Sequence, residues 1–254
     1  MRAWCLCVLL LLARPLLGEG NIDVKEQPAL APLLVMYNAN LGEPYIFREN
    51  GQAVAGIHWD LAHYLGRQLG REVQMLEVPR KRVRQYLEQG RAHLLLLTSP
   101  VWFDRPEDFQ WTASIYTEQD LVIQNRHHVF PVREARDLAG KRVGMLQGYV
   151  YAELDDEPLR SSIVRDNAKS FRSNFIRLSR GRLDAIVVPR ILADHLFRQE
   201  FNRAAFYIAP EWNIPHTLYS AVSPHSPVTA QAISSVYERM KQRGDFERIL
   251  ARYR

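Results

Sequence analysis

The sequence predicts an α/β protein of two lobes, one inserted within the other, each a mostly parallel sheet flanked by helices, joined by two hinge crossings. Three observations predict it. Strands and helices alternate with short links over residues 33–97, the pattern of a parallel sheet. The alternation restarts after an apolar strand at 120–124 and runs on to Phe197. An alternating strand at 217–222 then returns the chain to two closing helices. The expected division is 21–120 and 217–254 for the first lobe and 121–216 for the second.

Residues 1–20 are expected to be a cleaved export signal. Arg2 supplies a positive start, Leu9 to Leu12 lie in a short apolar run, and small residues follow near Gly18. The run is too short to span a membrane and Arg14 interrupts it; an uncleaved anchor is the alternative. Cys5 and Cys7 both fall in this leader, which leaves the mature chain without a disulfide, a thiol nucleophile or a cysteine metal ligand. No cysteine stands at the leader's end to carry a lipid. Losing Arg2, Arg14 and Glu19 lowers the formal charge only from +5 to +4. Apart from Arg80-Lys81-Arg82 and Arg84, basic and acidic residues are interspersed, which excludes a nucleic-acid-binding stripe.

After a polar lead-in, residues 33–37 read as a first strand, and two short runs around Asn50-Gly51 as a hairpin. Ile57, Leu61, Tyr64, Leu65 and Leu69 recur at helical spacing up to a Gly70 cap. Residues 73–78 form the second strand, stopped by Pro79, and a helix carrying Val83, Tyr86 and Leu87 ends at Gly90. The buried strand 92–97 leads into a loop that holds Pro100 and Pro106. Loops at the carboxyl ends of parallel strands are where open α/β sheets bind ligands. In this one Arg105 lies among hydroxyls and two tryptophans, and its guanidinium fork suits a carboxylate or phosphate. The competing reading is a surface arginine paired with Asp104 or Glu107.

In the second series, residues 142–146 and 183–188 read as strands. A helix around Phe171, Phe175 and Leu178 stops at Gly181, and Pro189 opens another through Ile191, Leu192 and Leu196. The terminal helix over 228–243 breaks at Gly244 before Phe246, Ile249 and Leu250.

Glu43-Pro44-Tyr45-Ile46-Phe47 with Glu49-Asn50-Gly51, Gly56-Ile57-His58-Trp59-Asp60-Leu61, Arg105 with Phe109-Gln110-Trp111-Thr112, the run from Leu138 to Gly148, Gly181-Arg182-Leu183-Asp184-Ala185 and the ending from Gly244 form an ordered set. Together they resemble the polar amino acid-binding family of periplasmic solute-binding proteins (extracellular family 3, type II periplasmic binding fold). The resemblance implies that Arg105 binds a ligand carboxylate, helped by hydroxyls near Thr98 and by amides after Gly148. It also implies an aspartate for the ligand's ammonium five residues beyond Asp184, where this chain has Pro189 and then Arg190. Trp102 replaces the usual threonine before the arginine, and Tyr149-Val150-Tyr151 replaces hydroxyl residues. An unpaired buried ammonium is costly, so an ordinary α-amino acid is not the expected guest.

Arg80, at the proline-led helix start, points the same way, since helix N-termini favour anions. Arg105, Arg190 and Arg80 together would suit a guest with two or more acidic groups, against the reading that they are a solvated basic face. Tyr45, Trp102, Tyr149 and Tyr151 are candidate walls of the pocket, with ordinary packing as the competing role. The expectation is a soluble, monomeric periplasmic receptor without cofactor or metal. It would bind a small anionic or amino-acid-like solute and deliver it to an ABC importer or a membrane sensor. The minor alternative is an exported dehydratase of the cyclohexadienyl type, with Glu153 or Asp155 as its acid.

Overall fold

The computed structural model describes residues 30–212 and 214–253; the expected leader and both cysteines lie outside them. The chain opens with β1 (Leu33–Asn38), the hairpin β2 (Phe47–Glu49) and β3 (Gln52–Ala55), helix α1 (Ile57–Leu69) and β4 (Val73–Val78). A 3-10 turn at Arg80–Arg82 enters α2 (Val83–Glu88), followed by β5 (Leu94–Thr98) and the two-residue β6 (Gln110–Trp111). The long strand β7 (Tyr116–Asn125) leads to β8 (Arg142–Leu146), α3 (Leu159–Ser162), β9 (Val164–Ala168), α4 (Phe171–Ser179), β10 (Ala185–Pro189), α5 (Arg190–Gln199) and β11 (Phe206–Ile208). The second long strand, β12 (Ile214–Val222), returns to α6 (Ala230–Arg243) and α7 (Asp245–Ala251).

The strand order is β4-β1-β5-β12-β7-β10-β8-β9, with β11 added to β7 and β6 to β12. β4, β1 and β5 are mutually parallel, as are β10, β8 and β9, and the two sets are the sheets of two lobes. β12 and β7 run antiparallel between them, so the second lobe is an insertion whose entry and exit strands lie side by side. Their register sets His216 opposite Glu118, Leu218 opposite Tyr116 and Ile214 opposite Asp120.

Both crossings begin earlier than the apolar pattern predicts, at Tyr116 rather than 120 and at Ile214 rather than 217. Their added residues are mostly polar or proline, Thr117, Glu118 and Gln119 in one and Pro215 and His216 in the other, which conceals a strand from a pattern reading. They pair because each has the other as neighbour. β9, with the sequence Val-Arg-Asp-Asn-Ala at the sheet edge, was likewise invisible to that reading, as were β6, α3 and β11.

Helix α1 buries Ile57, Leu61 and Leu65 against β1 and β5. The β1 and β5 residues Leu33, Val35, Leu94 and Leu96 and the α6 residues Ile233, Val236 and Met240 belong to the same core. In the second lobe Val122, Val143, Met145, Val187 and Trp212 pack together. At the start of α1, Gly56 has φ 118°, and a Cβ there would lie 2.4 Å from the Tyr45 carbonyl oxygen. The same carbonyl accepts the His58 N–H at 3.1 Å, so this close approach fixes Tyr45 against the helix. Gly56→Ala should therefore cost at least about 2 kcal/mol, through the positive φ and the clash together. A lowered urea midpoint with an unchanged slope is the expected result.

Candidate functional site

Where the two long strands cross, a cavity opens beside the carboxyl ends of β1, β4 and β5. It has about 800 Å³ of unfilled space, counting the part open to solvent. Its first-lobe floor is set by an irregular end to β5. The pairing of β5 with β12 slips between Tyr219 and Ala221, and Leu97 takes a left-handed φ of 48°. A bulge of this kind re-aims the side chains beyond it at a local cost of about 1–3 kcal/mol. Here it delivers Thr98, which is buried, lines the cavity, and has no hydrogen-bond partner for Oγ1.

Pro79 ends β4, and the 3-10 turn beyond it brings Arg80 into the cavity. The guanidinium donates from Nη2 to the Trp102 carbonyl at 3.2 Å and lies 5.8 Å from the Phe103 ring centre. Among the described residues no carboxylate pairs with it. Burial lowers its pKa, yet a guanidinium keeps its charge at any physiological pH. Trp102 stands 6.0 Å from Tyr149 and 5.9 Å from His216 between ring centres, so these three form an aromatic wall.

The opposite wall is acidic. Glu118, buried on β7, accepts from the Tyr45 hydroxyl at 3.2 Å and from the Gln119 N–H at 3.2 Å. Burial, reinforced by the charge of Asp120, pushes its carboxyl up to about 7. Asp120, two residues on and on the same face of the strand, meets His216 Nε2 at 3.2 Å, and its Oδ1 is buried without a partner. His216 Nδ1 lies 3.7 Å from Glu153 of the second lobe. Burial alone would lower the His216 pKa; the hydrogen bond and charge of Asp120, with Glu153, outweigh it and raise the value. His58, behind Tyr45, is held neutral by burial at about 4, and its Nδ1 has no partner.

Thin contacts bridge the lobes beside the cavity. Asn40 Nδ2 donates to the Gln147 carbonyl at 3.0 Å, Phe47 meets the His195 ring at 6.0 Å, and His195 Nε2 lies 3.8 Å from Glu43.

A family model for bacterial extracellular solute-binding proteins, family 3, matches residues 34–254. The chain belongs to that family. Its fold is similar to those of solved binding proteins. A mutant of the arginine-binding protein ArgBP from T. maritima is 21% identical, with TM-score 0.69, covering 87% of this chain and 94% of that one. The amino acid ABC transporter substrate-binding protein AbpA from Streptococcus pneumoniae, bound to L-arginine, is 18% identical with TM-score 0.70 over 87% and 94%. The ancestral amino acid-binding protein AncCDT-1, described as a precursor of cyclohexadienyl dehydratase, is 16% identical with TM-score 0.70 over 87% and 94%. No curated protein matches the sequence.

Of the residues that sequence reasoning put in the solute-binding protein's pocket, Arg80, Thr98, Trp102, Tyr149 and Tyr45 line the cavity. Arg105 does not. Its side chain is 63% exposed and turns toward α2, where it meets Asp108 at 3.3 Å and Glu88 at 3.9 Å. Two consecutive 3-10 turns, at Pro100–Trp102 and Pro106–Asp108, bend the loop so that Arg84, Glu88, Asp108 and Arg105 form one surface charge network. In this structure Arg105 is thus a surface arginine, paired with different acids from those expected. Arg190 is also engaged outside the cavity lining, donating from Nε and Nη2 to Gln119 Oε1 at 2.9 and 2.7 Å. Tyr151 is buried in the second-lobe core, where its hydroxyl accepts the Leu146 N–H at 2.9 Å. Asp155 caps the Tyr151 N–H and pairs with Arg165, which gives it a structural role.

Glu118, Asp120 and His216 were missed. The one available signal was a pair of carboxyls at same-face spacing leading into an apolar strand. Since the folded Glu118 holds its proton to about pH 7 against 4.5 for the ordinary group, its contribution to stability is lost as pH rises through that interval. His58 acts in the opposite sense over 4 to 6.5, being buried without its proton. Relative to wild type, Glu118→Gln should therefore gain about 1 kcal/mol per pH unit between pH 4.5 and 7. Urea titrations at half-unit pH steps would measure it.

Proposed function

We propose that the protein is a periplasmic receptor, exported by a cleaved leader, that closes two lobes over a small polar solute bearing an acidic group. It would hand the solute to an ABC importer or a membrane sensor. The observation that carries this reading is Arg80. A half-buried guanidinium without a carboxylate partner faces an interlobe cavity, beside an unpartnered buried hydroxyl at Thr98. A carboxylate there would accept from both, and desolvation on closure would strengthen the pair. The aromatic wall of Trp102 and Tyr149 gives it apolar surface against which the rest of the solute can pack. Hinge motion is served by the paired crossing strands, the two backbone connections between the lobes.

The anchoring role expected of Arg105 thus passes to Arg80. In calorimetry with whichever solute binds tightest in a thermal-shift screen of amino and organic acids, Arg80→Ala should weaken binding at least about 30-fold. Arg105→Ala should stay within about threefold, as exposed ion pairs contribute little. Equal effects of the two substitutions would refute the assignment.

A lyase is the second reading, supported by the Glu118 carboxyl that keeps its proton to about pH 7 inside the cavity. Incubation with prephenate and an absorbance assay for phenylpyruvate separates the two; no product above the spontaneous rate is expected.

A further inference from the structure

A carboxylate held by Arg80 and Thr98 leaves three buried polar atoms of the cavity wall without a hydrogen-bond partner among the described residues: Asn38 Oδ1, His58 Nδ1 and Trp102 Nε1. We infer that the guest is a polyhydroxylated carboxylic acid, of the chemical class of the sugar acids, whose hydroxyls pair with these atoms. This inference rests on the receptor reading and deepens it by naming the solute.

The three atoms come from three elements of the first lobe. Asn38 ends β1, which lies between β4 and β5, so its amide stands between the strand ends that deliver Arg80 and Thr98. The Trp102 carbonyl accepts from Arg80 at 3.2 Å, which keeps the indole beside the guanidinium. His58 belongs to the first turn of α1, behind Tyr45. Buried polar atoms are paired in nearly all folded proteins. A set of unpaired ones along one wall of a cavity therefore points to a guest that supplies the partners.

Their chemistry selects hydroxyls. Asn38 Oδ1 is an acceptor and the Trp102 N–H is a donor only. The neutral His58 ring offers one role or the other at Nδ1, according to its tautomer. A hydroxyl both donates and accepts, so one kind of group serves all three. A ketone oxygen cannot serve the Asn38 acceptor, and an ammonium cannot serve the Trp102 donor. An ammonium also needs an anion, and the nearby carboxyls are engaged within the chain. Glu118 accepts from Tyr45 and Gln119; Asp120 meets His216 and does not line the cavity. From the second lobe, Tyr149, Val150, Phe171 and Pro189 face the same space and offer mostly apolar surface. A sugar acid divides in the same way, with hydroxyls along its edge, C–H groups on its faces and one carboxylate for Arg80.

The test uses protein purified from the periplasm of an expressing host. A thermal-shift panel holds galacturonate, gluconate and quinate, the hydroxyl-free cyclohexanecarboxylate and hexanoate, glucose, and the common L-amino acids. A hydroxylated carboxylate should raise the melting temperature most. In calorimetry of that binder, Asn38→Leu and Trp102→Phe should each weaken binding about tenfold, because a guest hydroxyl loses its buried partner. Either variant serves if the other does not fold. Arg80→Ala should weaken every acid of the panel, with or without hydroxyls. The inference is overturned, and the receptor reading stands, if an amino acid or a hydroxyl-free acid binds tightest and needs Arg80. It is overturned if no hydroxylated carboxylate raises the melting temperature. It falls equally if the folded Asn38→Leu and Trp102→Phe variants bind as wild type does, since water alone then serves the three atoms. Unchanged binding of every acid by Arg80→Ala overturns the receptor reading and this inference together.

Discussion

The antiparallel pairing of β7 with β12 is the constraint on which the rest of the molecule depends. Because the second lobe is inserted into the first, the chain must pass between them twice, and the two passages solve each other's backbone hydrogen bonding by lying together. Strand periodicity then decides which side chains share a face. Glu118 and Asp120 fall on one face of β7, and His216 comes from the neighbouring strand, so three ionisable groups are buried at the place where the lobes join. Isolated buried charges are expensive. They persist because each has a partner: the Tyr45 hydroxyl and the Gln119 amide for Glu118, the imidazole for Asp120.

The first lobe contributes by backbone irregularity. A regular end to β5 would keep alternating its side chains between sheet faces; the left-handed Leu97 breaks that alternation and turns Thr98 toward the gap. Pro79 does the equivalent for β4, ending the strand so that Arg80 projects from a tight turn. Two strand ends, one on either side of β1, thus present a cation and a hydroxyl from different chemistry but to one volume. Rigid strand ends rather than a long flexible loop position both groups.

Much of this was legible in the sequence. Asn50-Gly51, Gly70 and Pro79 mark real boundaries, because each obeys a local backbone rule that tertiary context did not override. Thr229 caps α6 in the same spirit, its hydroxyl accepting from Ala232 at 3.1 Å. Arg80, Thr98, Trp102, Tyr45 and Tyr149 were all placed near strand ends or turns, and strand ends are what border the cavity. The direction of the Arg105 side chain is not legible in the sequence, because it depends on two successive 3-10 turns and on Glu88 of α2, neither of which leaves a pattern. The acidic wall was illegible for a different reason. Glu118 and His216 are about a hundred positions apart, and only strand register brings them opposite one another.

Beside the cavity the lobes touch through Asn40 to the Gln147 carbonyl, Phe47 and Glu43 against His195, and the Trp102 ring against Tyr149. Such links contribute on the order of a kcal/mol each. In the receptor reading proposed above, these links are part of what the chain itself contributes to the shut arrangement, and a guest supplies the rest. Measured affinity is then the product of a site constant and the fraction of molecules already shut. A substitution at Asn40, which makes one of those links, would retune every guest by the same factor and leave their ranking untouched.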